Sequence, residues 1–290
     1  MRAAFPEERA SWVLQERQLG TGHAAQQAVP RVPDDDTVLV LYGDVPLLGA
    51  EPLDRLVRMG AAGELGLLTM VPEDPAGYGR IVRDASGRVA RSVEQKDATP
   101  EELAIRECNT GVLAAPARRL KGWLAQLRND NAQGEYYLTD VIGLAVSQGV
   151  VVNPVSLADP IEALGVNDKV QLARLESVCR RRAVQALMTA GVTVVDPARI
   201  DVRGSVMHGQ DVFVDINVVF EGRVKLGSGF ASVPAASYAT AKWAMTPSCS
   251  VLRAGGCGDR RRGPHRAVFP GATDHRARPG RARRQLRGGQ

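Results

Sequence analysis

Two short stretches carry residue types suited to approaching a planar or anionic ligand or to holding Mg2+. In residues 18–22 (QLGTG) a threonine sits between glycines, which tolerate positive φ and lack a Cβ, so the backbone can approach a planar or anionic ligand closely. An ordinary turn is the alternative use of that pattern. Asp44 follows the apolar run 37–42 (TVLVLY), at a strand end where α/β sheets place ligands and where a carboxylate can hold Mg2+. Helix capping is an equally good use of Asp44. His23 reads as a packing or capping residue, because no second histidine stands at metal spacing. Cys108, Cys179, Cys249 and Cys257 form no CxxC pair and indicate neither a zinc knuckle nor a disulfide framework.

The elements that must position these groups alternate between strand and helix. Residues 37–42 and 65–71 (LGLLTMV) are continuous apolar runs, as expected of strands buried on both faces. Between them, residues 51–59 place Leu53, Leu56 and Val57 at helical intervals with Pro52 in the first turn, which completes a βαβ unit and predicts a parallel sheet. Residues 81–83 and 89–93 flank the turn DASG and predict a hairpin. Helices are expected over 117–127 and 135–146, and a strand over 150–155. Residues 167–190 predict a long connecting helix, with Asn167 as N-cap and Gly191 as its stop. After Asp196 and Pro197 the period changes to six. Val206, Val212, Val218 and Val224 form one register, and Val214, Phe220 and Leu226 a second, the pattern of a parallel β-helix.

Composition sets the outer limits. The chain has 290 residues, 44% of them apolar, enough for one large or two ordinary cores. No run of about 18 apolar residues appears and the N-terminus has no apolar stretch, so a soluble, cytoplasmic protein without membrane contact is expected. The net charge of +5 is unevenly spread. Residues 230–290 hold eleven Arg and one Lys against Asp259 and Asp274, whereas residues 1–229 hold 25 basic and 30 acidic groups. An acidic body therefore joins a basic, Ala, Arg, Gly and Pro rich tail.

One ordered series of motifs is far more specific than any of its parts: WVLQERQLGTGHA, LYGDVPLL, DPAGYGRIV, VEQKDAT, NTGVL, NDNAQGEYYLTD, GVND, then the hexapeptides. From about Trp12 to Gly229 it resembles the bifunctional N-acetylglucosamine-1-phosphate uridyltransferase and glucosamine-1-phosphate acetyltransferase of bacterial cell-wall precursor synthesis. The resemblance implies an α/β, Rossmann-like nucleotidyltransferase domain followed by the first coils of a left-handed parallel β-helix that trimerises. It also implies UDP-N-acetylglucosamine diphosphorylase activity, with UTP and N-acetylglucosamine 1-phosphate as substrates and Mg2+ as cofactor. Gln15, Gly20 and Thr21 match positions at the uracil end of UTP, with Gly43 beside Asp44 near the nucleotide. Gly79, Glu94 and Asn109 match positions that hold the sugar phosphate. Asp44 and Asn167 match the two Mg2+ ligands, Asn167 also bordering substrate. No protein nucleophile is expected, because catalysis of this type is positioning plus neutralisation of anionic oxygens.

The chain departs from that family at both ends. It lacks the glycine-rich LAAGxGTRM-type loop and its lysine, so the first βαβ unit is expected to be missing and the chain inactive. The repeats are expected to end at Gly229 after about four coils. Read in shifted frames under permitted codons, residues 284–290 and 238–248 give repeat-like strings, so residues 230–290 are expected to be out of frame and poorly ordered. The expected divisions are thus 1–166 (partial uridyltransferase domain), 167–195 (connector), 196–229 (start of the β-helix) and 230–290 (tail). Two alternatives remain. One is a non-catalytic sugar-phosphate-binding fragment. The other is nucleic-acid binding through the tail, which has no aromatic residue among its arginines after Phe269 to support base stacking.

Overall fold

The computed structural model describes residues 10–239 and the strand 241–243. Helix α1 (Thr21–Ala28) leads to strand β1 (Thr37–Val40), helix α2 (Ala50–Ala61) and strand β2 (Leu65–Met70). A hairpin of β3 (Gly79–Arg83) and β4 (Val89–Val93) follows, then the short α3 (Pro100–Leu103), β5 (Cys108–Pro116), α4 (Ala117–Leu124), α5 (Val141–Ser147) and β6 (Val152–Ser156). The hairpin forms as expected, and its turn is held by the Asp84 carboxylate, which accepts from the N–H groups of Ser86 and Arg88.

The six strands form one sheet in the order β4-β3-β5-β2-β6, with β1 also paired to β5. The expected parallel sheet is corrected to a mixed one. β5 runs antiparallel to β1, β2 and β3, and only β2 and β6 pair in parallel. The β1-α2-β2 crossover is present, but its strands are not neighbours, because the chain returns through the hairpin and lays β5 between them. β2 is buried at every position: Leu65 and Leu67 enter the core beneath α4 and α5, while Leu68 and Met70 enter the core beneath α2. β1 is not buried on both faces as expected. Only Val38 is buried and Leu41 is 50% exposed, since among the described residues β1 pairs with β5 alone.

Two helix expectations are also corrected. Helix α5 begins at Val141, and residues 134–137 are not helical, because the Tyr136 N–H donates to the Leu19 carbonyl and the Tyr136 carbonyl accepts from Gly22 N–H. The long helix α6 (Lys169–Thr189) is capped by Asp168, whose carboxylate accepts from Gln171 N–H, and not by Asn167. Gly191, at φ +99°, stops it as expected.

Beyond α6 lie β7 (Thr193–Val194), β8 (Ile200–His208), β9 (Phe213–Val214), β10 (Val218–Leu226), β11 (Ser237–Tyr238) and β12 (Ala241–Trp243), all paired in parallel. Ile200 pairs with Val218, Val206 with Val224 and Phe220 with Tyr238, so stacked partners are three hexapeptides apart. Four matches in one hexapeptide register are therefore not four coils. Val212, Val218 and Val224 are buried in one core with Val214, Phe220 and Leu226, and Val206 packs against it. The expected end of order at Gly229 is corrected. Phe230 and Tyr238 are each 6% exposed in this same core, and β11 and β12 extend the pairing of β10. The expectations for residues 244–290 lie outside the described residues. Among the described residues no helix is long and apolar enough to cross a membrane.

Candidate active site

A cleft opens beside the sheet as two adjoining cavities of about 240 and 410 Å3, which share Tyr42, Gly77, Tyr78 and Thr110 as their common wall. Gly79 at the start of β3, Glu94 just past β4, and Asn109 and Gly111 on β5 line the smaller cavity. These strands are consecutive in the sheet, so antiparallel pairing brings residues far apart in sequence to one floor: Gly79 pairs with Asn109. Asn109 is buried, donates to Ser92 Oγ (3.1 Å) and accepts from the Gly111 N–H (2.8 Å). Glu94 accepts from the Thr139 hydroxyl at 2.8 Å. A Cβ on Gly79 would press on Ser92 Oγ and the Val93 carbonyl oxygen, both at 3.2 Å.

Asp44 and Asn167 line the larger cavity together. The Val166 N–H donates to the Asp44 carbonyl at 2.9 Å, which fastens the loop before α6 to the loop after β1. Thr21 lines the smaller cavity, where its hydroxyl oxygen accepts from Leu138 N–H at 3.2 Å. Gln15, Gly20 and Gly43 line neither cavity. Gln15 donates to the Gly20 carbonyl and contacts the His23 ring at 2.9 Å, and the His23 ring also lies 6.2 Å from that of Tyr136, in keeping with a packing role for His23. Gly20 adopts φ +105°, and a Cβ there would lie 2.6 Å from the Tyr136 carbonyl oxygen. Its close approach is therefore to the protein's own chain. Gly43 is exposed, with open space around its Cα.

The cleft is acidic. Asp44, Glu94 and Glu135 line it, and no Lys or Arg does among the described residues. Burial raises the pKa of the Tyr42 and Tyr78 hydroxyls, and the nearby Asp44 charge adds to both shifts, so these groups serve as neutral hydrogen-bonding walls. Among the described residues no three His, Cys, Asp or Glu side chains are grouped to hold a metal ion. A metal here would take Asp44 and the Asn167 amide oxygen, and complete its shell from ligand and water oxygens.

Sequence comparison finds relatives of the chain. The bifunctional protein GlmU of Azoarcus sp. (strain BH72) is 57% identical over 219 residues, covering 76% of the chain and 48% of the relative. That of Alkalilimnicola ehrlichii is 51% identical over 273 residues, covering 94% and 56%. The chain is a homologue of the GlmU family. It spans about half the length of the curated GlmU proteins it matches. The match to the Alkalilimnicola GlmU extends past Gly229, since residues 1–229 make up only about four fifths of the chain. No protein-family model matches. Among solved structures, a UDP-glucose pyrophosphorylase complexed with UDP-glucose aligns with TM-score 0.41 and 14% identity, over 50% of this chain and 57% of that one.

Several cleft residues escaped the motif reading. Tyr42 fits against Gly111, whose φ of +81° and missing Cβ leave room for the ring; a Cβ there would lie 2.6 Å from Tyr42 Cε2. Gln133, Glu135, Tyr137 and Thr139 all line the smaller cavity, while Tyr136 and Leu138 between them pack into the core beneath α4 and α5. That alternation of polar and apolar residues was the available signal.

Asp140 follows them and has a measurable consequence. Burial, then the charges of Glu94, Asp97 and Asp130, push its carboxyl up to about 6. The folded state thus holds this proton more tightly than the unfolded chain, so its stabilisation is full below about pH 4 and is lost as pH rises through about 6. Solvent screening around this half-buried group leaves an effect of about 1 kcal/mol. Asp140→Asn is expected to stabilise the protein by that amount at pH 8 and not at pH 4, measured by urea denaturation at both values. An equal effect at the two pH values would refute the assignment.

Proposed function

We propose that this chain carries the sugar-phosphate and metal-binding parts of a uridyltransferase site. In the proposed reaction an oxygen of N-acetylglucosamine 1-phosphate attacks the α-phosphorus of UTP, giving UDP-N-acetylglucosamine and pyrophosphate. The observation that carries the reading is convergence: Gly79 on β3, Glu94 just past β4 and Asn109 on β5 line one cavity, and Asp44 and Asn167 line the next. Glu94 accepts hydrogen bonds from sugar hydroxyls and Asn109 offers an amide to the sugar ring or its acetamido group. The bare glycine Gly79 lets the ring lie against the strand. Mg2+, when bound by Asp44 and Asn167, neutralises phosphate oxygens. The protein residues hold the sugar phosphate in line and exclude alternative poses, and none is required as a nucleophile.

We further read the parallel pairing at 18-residue offset as the opening turns of a left-handed β-helix, whose exposed faces would support a homotrimer. Acetyl transfer to glucosamine 1-phosphate is assigned to no residue here.

Calorimetric titration of the full chain with N-acetylglucosamine 1-phosphate tests the central claim. Saturable binding is expected, weakened about 10 to 100-fold by Glu94→Ala or Asn109→Ala, the loss of one hydrogen bond to a charged or buried polar partner. Absence of binding, or affinity indifferent to both substitutions, refutes it.

A further inference from the structure

We infer that Asp97 is a positioning residue that clasps the loop 129–135 onto the turn after β4, while Tyr137 and Lys96 fix the Gln133 amide, so that Gln133 and Glu135 are held at the wall of the smaller cavity. The functional part of this inference rests on the reading of that cavity as the sugar-phosphate site.

The clasp is a short set of hydrogen bonds. The Tyr137 hydroxyl accepts from Gln133 Nε2 at 2.9 Å. The Asp97 carboxylate accepts from the Ala132 N–H at 2.9 Å, which ties the loop to the turn after β4. Lys96 Nζ donates to Gln133 Oε1 at 2.7 Å. With Lys96 on its oxygen and Tyr137 receiving from its nitrogen, the Gln133 amide has one orientation, which leaves a second Nε2 hydrogen for a phosphate or sugar oxygen in the cavity it lines.

The loop is stiff internally but depends on the clasp for its placement. Asn131 Oδ1 accepts from the N–H groups of Gln133 and Glu135, and its amide donates to the Glu135 carbonyl at 2.5 Å. Those bonds shape the loop without fastening it to the sheet. On the sheet side, Asp97 N–H donates to the Glu94 carbonyl, so the anchor is three residues from the carboxylate proposed to bind the sugar. Tyr137 is buried, and its phenyl ring stays packed when only the hydroxyl is removed.

Two measurements on the full chain test the inference. In hydrogen exchange, amides of residues 131–135 should exchange at least about tenfold faster in Asp97→Ala and Tyr137→Phe than in the parent. In titration with N-acetylglucosamine 1-phosphate, each of these substitutions should raise Kd about tenfold. Asp97→Asn, whose amide oxygen can still accept from the Ala132 N–H, should restore exchange and affinity, a rescue that a purely electrostatic role for the carboxylate would not give. Unchanged exchange in Asp97→Ala, a released loop with unchanged affinity, or failure of Asn to rescue overturns the inference. If the parent itself does not bind the sugar phosphate, the reading of the cavity falls, and the exchange measurement still decides the clasp.

Discussion

Given UTP, Mg2+ and N-acetylglucosamine 1-phosphate, this chain is expected to release pyrophosphate at background rate while still binding the sugar phosphate. The argument is electrostatic. Phosphoryl transfer leaves the protein little to do beyond positioning the groups and stabilising negative charge on the phosphate oxygens. The described cleft supplies carboxylates at Asp44, Glu94 and Glu135 and no cationic side chain. Arg80 is buried behind it, donates to the Tyr78 carbonyl, and lines neither cavity. One divalent ion held by Asp44 and Asn167 offsets only part of a triphosphate's charge. A donor to the transferring phosphate is worth roughly 100 to 1000-fold, so a described cleft without a cationic side chain is expected to depress turnover by at least about 100-fold. A coupled pyrophosphate assay decides the matter, with Asp44→Ala as the blank. Turnover of about 1 per second or faster, lost in Asp44→Ala, would mean that the residues described here suffice for phosphate stabilisation.

What the sequence disclosed about this cleft followed from how local each signal was. The β1-α2-β2 crossover was legible because helical spacing at Leu53, Leu56 and Val57 lies within one element, and α2 indeed covers 50–61. The insertion of β5 between β1 and β2 was not, because it depends on pairing residues such as Leu39 and Ala114, 75 positions apart, and an apolar strand carries no mark of its partner. The motif residues divided along the same line. Gly79, Glu94, Asn109, Asp44, Asn167 and Thr21 meet in the cleft, whereas Gln15 and Gly20 brace the chain that carries Thr21. Residues 135–146 were misread as one helix because Leu138, Val141, Ile142 and Ala145 repeat at helical spacing. Yet the first of them belongs to an alternating stretch that ends only at Thr139. The clasp through Asp97 was invisible for another reason: a carboxylate beside a lysine reads as an ordinary solvated turn until its partners are known.

The hexapeptide register was legible as a period, but its end was not. At Gly229 the six-residue valine pattern ceases, and an end of order there would make everything beyond it dispensable. The packing predicts the opposite: a chain ending at Gly229 should lose its second core. Phe230 and Tyr238 are each 6% exposed, the Tyr238 ring stacks on Phe220 at 5.7 Å, and Phe230 meets it edge-on at 5.4 Å. Backbone bonds from Phe213 N–H to the Phe230 carbonyl (2.8 Å) and from Val219 N–H to the Ala236 carbonyl (2.9 Å) go with them. Removing one buried aromatic side chain costs about 3–5 kcal/mol, so losing both rings exceeds about 5 kcal/mol, a large part of the stability of an ordinary domain. Phe220→Ala, which takes away the fully buried ring on which Tyr238 stacks, should cost about 3–5 kcal/mol. Hydrogen exchange of the β8 and β10 amides in the parent, the chain ending at Gly229 and Phe220→Ala reads both effects. Protection lost in the shortened chain at least as completely as in Phe220→Ala would establish residues 230–238 as part of this core. Full protection without them would show that the valine columns close by themselves and that the aromatic cluster only rests against them.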